Sequence, residues 1–127
     1  MNLRIIIFFL IIATAINCSP ELVKIQFKQD QSTLTTQLNQ SLDSKQVSVL
    51  TTVNNFDRNL NTDISIMIVH NKKISEPELD QLFNQSINVT KNNILNFNQF
   101  NMLKFVYMNT QNGKNRTGFR SFTIKDL

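Results

Sequence analysis

Asp63-Ile-Ser-Ile-Met-Ile-Val69 is the stretch on which the fold class turns. Its aliphatic residues follow one another almost without a polar break, and the run is too short for an independent helix. A run of this kind is a strand that is buried on both faces or central in its sheet. Working outward, Gln46–Val53 places Val47, Val49, Thr51 and Val53 at alternate positions and predicts a neighbouring strand. Asn54–Thr62, with Asn54-Asn55, Asp57-Arg58 and Asn59, predicts an exposed connection between the two.

On the other side, Ser75-Glu76-Pro77-Glu78 is a helix start. Ser supplies the N-cap, Pro suits the first turn, and Glu at the third helical position closes a capping box. Leu79, Leu82, Phe83 and Ile87 give that helix its apolar stripe, and it is expected to end before Asn92-Asn93. Upstream, Leu34, Leu38 and Leu42 recur every four residues. They predict a helix over Thr33–Leu42, capped by Ser32 or Thr33.

Further out, Val23, Ile25 and Phe27 alternate with Lys24, Gln26 and Lys28, the pattern of a half-exposed strand over Leu22–Lys28. Met102–Met108 and Phe119–Ile124 complete the strands. Between them Thr110–Gly118, with Asn112-Gly113, is expected as a loop longer than a tight hairpin needs. Asn92–Gln99 fits neither period. The order is β-α-β-β-α-β-β, which predicts a small two-layer α+β sandwich of a mixed or antiparallel sheet and two amphipathic helices. Its first six elements resemble the split β-α-β order of the ferredoxin-like class, a likeness of element order alone.

With 127 residues, 41% hydrophobic and 17% charged, the chain has room for one domain and one modest core. Ten phenylalanines and no tryptophan point to apolar filling rather than stacking platforms. The net charge of +4 is spread thinly: Lys28, Lys45, Lys91, Lys104 and Lys125 are scattered. Only Lys72-Lys73 and Lys114–Arg120 approach a cluster, so nucleic acid is not expected as a partner.

The beginning of the chain has the form of an export signal. Met1-Asn2-Leu3-Arg4 is a short basic start, and Ile5–Ile16 follows as twelve uncharged, almost wholly apolar residues. Twelve is short for a membrane span, which takes about 20, and right for the core of a signal peptide. The expected division is a signal peptide over 1–17 and a single exported domain over 18–127. Ala13-Thr14-Ala15 offers an alternative cut that would begin the mature chain at Ile16.

Thr14-Ala15-Ile16-Asn17-Cys18 resembles a bacterial lipoprotein signal, with Asn17 where Gly, Ala or Ser is usual and Ala15 where an aliphatic residue is usual. The resemblance implies cleavage before Cys18 and a diacylglycerol anchor on its sulfur. Cys18 is the only cysteine, so an intrachain disulfide is ruled out. A bacterial cell envelope, reached by lipid anchor, is the expected location. Asn39, Asn84, Asn88 and Asn115 head triplets that a eukaryotic secretory route would glycosylate.

No motif announces chemistry. His70 is the only histidine, expected as a surface or turn residue; one His and one Cys do not make a zinc set, and no metal or cofactor is predicted. Lys114, Arg116, Phe119 and Arg120 form the best basic-aromatic patch, a candidate contact for a protein partner or an anionic surface. The expected function is therefore a non-enzymatic accessory or binding protein whose partner is another envelope or extracellular protein. Two alternatives stand beside it. One is a small hydrolase using His70 with Asp57, Asp63 or Glu76. The other is a carrier in which the Phe-rich second half lines an apolar cavity.

Overall fold

In the computed structural model, residues 22–54, 61–111 and 114–127 are described. The proposed signal peptide, Cys18, Asp57 and Asn112-Gly113 lie outside them. Two helices, α1 (Gln31–Leu42) and α2 (Glu76–Asn93), accompany four strands: β1 (Gln46–Asn54), β2 (Asn61–His70), β3 (Met102–Gln111) and β4 (Lys114–Thr123). The fold is the expected small α+β class with a mixed sheet.

β2 holds the centre. The strands lie in chain order across the sheet, with β1–β2 and β3–β4 antiparallel and β2–β3 parallel. A parallel pair needs a crossover, and α2 provides it. Even-numbered side chains of β2 and odd-numbered ones of β3 point to the helices: Ile64, Ile66, Ile68, Leu103, Phe105 and Tyr107 are all buried. Phe83 of α2 stacks on Phe105 with ring centroids 5.0 Å apart, and Phe122 meets Phe105 edge-on at 6.0 Å. Phe97 and Phe100 are buried as well, so these rings fill the core.

The α1 stripe is as expected: Leu34, Leu38 and Leu42 are buried to the last few per cent. The helix begins two residues earlier than its stripe suggests. Asp30 is the N-cap, its carboxylate accepting from Thr33 N at 2.6 Å. It ends at Asp43, whose φ of 46° is left-handed, the backbone form that closes a helix most easily at Gly or Asn. In α2, Glu78 reaches back to the N–H and hydroxyl of Ser75 at 2.9 and 2.6 Å, as the capping box predicts. Its buried face includes Ser86 and Thr90, whose hydroxyls donate to the carbonyls one turn back, at 2.7 Å each. The helix continues through Asn93 rather than stopping before Asn92.

Three expectations are corrected. Leu22–Lys28 is extended, with Val23, Ile25 and Phe27 half-buried on one side as its alternation requires, but it stays out of the sheet. It makes one bridge, Phe27 to Ile94, and is clasped to the segment after α2. Lys28 N donates to Asn93 O and Leu95 N to Gln26 O, both at 2.8 Å. The Asn96 side chain stands in for a peptide group, accepting from Gln26 N at 2.9 Å and donating to Lys24 O at 2.8 Å.

Second, the Thr110–Gly118 loop is largely ladder: pairing runs without a break to Gln111↔Lys114, so Lys114 and Arg116 belong to a strand. Third, His70 is buried. It continues the helix-facing series of β2, and its Nε2–H donates to Leu42 O at 2.7 Å, giving the last turn of α1 a partner.

Candidate functional site

The register fixes which side chains share the face of the sheet that no described element covers. One transverse row reads Ser48, Met67, Val106, Phe119 across β1 to β4. The next reads Leu50, Ser65, Lys104, Ser121, and on the other side lie Val69 and Met108. Met67, Val69, Val106 and Met108 are half-buried by their neighbours, while Leu50 and Phe119 are 46% and 53% exposed. Large apolar side chains gathered on one face of a small domain are the usual mark of a contact surface.

One end of this face is sealed by charge. Asp63 is fully buried, its Oδ1 accepting from Met102 N at 3.2 Å. Oδ2 makes no hydrogen bond of acceptable angle, yet Lys104 Nζ lies 2.5 Å away. We count Lys104 as its partner, because charge attraction at that distance does not depend on the angle.

The predicted patch is divided by the pleat. Phe119 opens onto the uncovered face, whereas Arg120, the next residue, points to the helices. There Arg120 pairs with Glu76 at 2.6 Å and with Asp80 at 3.5 Å across to the start of α2. Lys114 and Arg116 sit on β4 toward the hairpin end. Phe119 is therefore brought together with Met67 and Val106, and separated from Arg120. Leu50, Met67 and Val106 are not among the site residues predicted from sequence. The alternation of Lys104, Val106 and Met108 against Leu103, Phe105 and Tyr107 is the signal for Val106, the alternation of β1 is the signal for Leu50, and Met67 has none because its strand is apolar on both faces.

His70 lies at the far end of β2, beside a cleft of about 330 Å³ lined by Leu42, Asp43, Lys72, Ile74, Glu78 and Leu82. Of its expected acids, Asp57 lies outside the described residues, and neither Asp63 nor Glu76 is beside it. Asp63 is seven residues along the same strand, about 23 Å away at about 3.3 Å per residue. Glu76 is engaged by Arg120. Glu78 carries the α2 cap, and its carboxyl is held below the usual range by the Ser75 hydroxyl and then the Ser75 N–H. Asp43 is exposed, and its carboxyl is lowered chiefly by a hydrogen bond from the Lys72 ammonium.

Behind the cleft, Tyr107 donates to Lys72 O at 3.0 Å, and Asn109 Nδ2 bonds to the same carbonyl. Burial pushes the Tyr107 phenol up. These contacts fasten the turn after β2. A larger cleft of about 610 Å³ opens at the other end, lined mainly by polar groups such as Asn61, Thr62 and Asn101. Among the described residues, no three His, Cys, Asp or Glu side chains gather as a metal site, and no helix is long and apolar enough to cross a membrane.

No protein-family model matches the chain, and no curated protein or solved structure is found similar to it.

Proposed function

We propose that this chain is a non-enzymatic exported protein of a bacterial cell envelope, anchored by lipid at Cys18, that works by holding another envelope protein against the uncovered face of its sheet. The observation that carries the reading is the apolar row Met67–Val106–Phe119, flanked by Leu50 and Met108. Such a face gives a partner hydrophobic area at its centre and polar groups, Ser48 and Ser121 on the edge strands, at its rim, the usual anatomy of a contact. Support for the anchor comes from the sequence: a basic start, an apolar core of signal-peptide length, and a solitary cysteine directly behind it. The hydrolase reading loses support among the described residues, because Asp63 lies at the other end of β2 and Glu76 is paired with Arg120.

Two measurements test this. Intact mass of the processed protein is expected to show a lipid-modified Cys18 that Cys18→Ser abolishes; an unmodified chain in both would remove the anchor and leave free secretion. A photo-crosslinking residue at Phe119 is expected to capture an envelope protein in cells. The same residue at Asn84, exposed on the outside of α2, is not. Capture from Asn84 but not from Phe119 would move the contact to the helical layer and end this reading.

A further inference from the structure

The two edges of the sheet are unlike. β4 carries Lys114, Arg116 and Arg120, whereas β1 reads Gln-Val-Ser-Val-Leu-Thr-Thr-Val-Asn, without a charge, a proline or a glycine. Charges and prolines are what ordinarily keep an edge strand from pairing with another chain, because they make a further strand costly to add. β4 has that protection and β1 lacks it. β1 also shows water an apolar side chain on each face: Leu50 on the uncovered face, and Val53, 43% exposed, on the helix side.

One contact fixes which backbone groups of β1 point outward. The exposed Gln31 donates its Nε2–H to Val49 O at 3.1 Å. In an antiparallel ladder the N–H and C=O of one residue point the same way, and the direction alternates along the strand. Val47, Val49, Thr51 and Val53 therefore turn their backbone groups away from β2.

We propose that β1 pairs antiparallel with β1 of a second copy about a two-fold axis at Leu50, making one continuous sheet of the two molecules. Outward-facing residues must meet outward-facing residues, and the one such register that overlaps the whole strand sets Val49 opposite Thr51, Val47 opposite Val53, and Leu50 opposite itself. Leu50 then meets its mate in a narrow pair with Cα atoms about 4.5 Å apart. Val53 is covered by the mate's Val47. Both exposed apolar side chains of the strand are thus covered by its own copy, which is why the occupant is a second molecule rather than an unrelated strand. A strand without charges brings no like charges together across the axis, as self-pairing requires. The incoming N–H of Thr51 takes the place of Gln31 on Val49 O. The proposal rests on neither the lipid anchor nor the envelope partner.

Sedimentation velocity over a concentration series, on the full chain as processed by the host and in a Cys18→Ser background, tests it. A dimer is expected. Thr51→Pro removes an outward N–H at an edge position where proline is tolerated. It is expected to weaken the dimer by about tenfold or more, two hydrogen bonds being lost per dimer, with far-UV circular dichroism unchanged. As a positive check on register, Leu50→Cys in the same background is expected to form an intermolecular disulfide on mild oxidation. Thr52→Cys, whose sulfurs would be held four residue steps apart, is not. A chain monomeric at every concentration, a dimer indifferent to Thr51→Pro, or equal cross-linking from positions 50 and 52 would each overturn the proposal.

Discussion

The two faces of the sheet are built from the same strands, yet they do different work. Toward the helices every position of β2 and β3 is committed: Ile64, Ile66, Ile68, Leu103, Phe105 and Tyr107 are buried under α1 and α2. On the other face the same strands present Met67, Val69, Val106 and Met108, flexible or small apolar groups that are half-covered by one another. The first face spends its apolar area on folding. The second leaves Leu50 and Phe119 about half exposed, and it is this area that the proposed partner would cover.

The largest effect that would sharpen this contrast comes from deleting one ring on each face. Phe83→Ala removes a ring stacked on Phe105 and is expected to cost about 3–5 kcal/mol in urea denaturation. Phe119→Ala should stay within about 0.5 kcal/mol, because the ring is half-exposed and fills no cavity. A comparable loss from both would mean that the uncovered face is a folding surface after all.

Lys104→Met probes the one place where the uncovered face resembles a core. It leaves the Asp63 carboxylate buried without its counter-charge. A loss of about 3 kcal/mol is expected, the lower end for breaking a buried pair because Lys104 still touches water. Adding Asp63→Asn should recover most of it, since the new side chain keeps an oxygen for Met102 N.

His70→Phe tests the margin of the helix face. The ring volume is kept and the hydrogen bond to Leu42 O is lost, so about 1–3 kcal/mol should go with it. A catalytic His70 would show itself by losing activity with stability intact.

The smallest effects are at the helix starts. Asp30→Ala removes the α1 cap and should lower the urea midpoint by less than any of the destabilising changes above. The Asp30 carboxyl is lowered by the Thr33 N–H first and by the Ser32 hydroxyl next, and Glu78 is lowered as described. Both groups bind protons more weakly when folded. Their contribution is therefore present above their ordinary values of 3.8 and 4.5, and it fades as pH falls through the lower folded values. In the double variant Asp30→Ala/Glu78→Gln, the acid side of the stability profile should flatten.

The sequence disclosed periodic elements and concealed what joins them. Leu34, Leu38 and Leu42 are readable because a strand with that face inward would also want apolar residues where Thr36 and Gln40 stand, and β2 is readable because its residues are apolar on both faces. Val23, Ile25 and Phe27 gave their faces correctly but could not name a partner: alternation specifies sides, and the partner turned out to be the amide of Asn96 and its neighbours. His70 looked like a surface residue because it follows an apolar run and precedes Asn71-Lys72. The carbonyl that holds it belongs to Leu42, 28 residues earlier. The patch around Phe119 rests on adjacency in sequence, and the pleat sends adjacent residues to opposite faces. The period-two alternation that marks β3 also divides Phe119 from Arg120.

The clasp on Leu22–Lys28 has a mechanical consequence. A load applied to the chain ahead of Leu22 reaches the Lys24–Asn96 bond first, then Gln26 with its partners, then Lys28–Asn93, one after another. Bonds loaded in sequence give way at lower force than bonds loaded together. The segment can therefore peel and lengthen its own lead while all four strands remain paired. Under such a load it would act as a fuse, sparing the sheet.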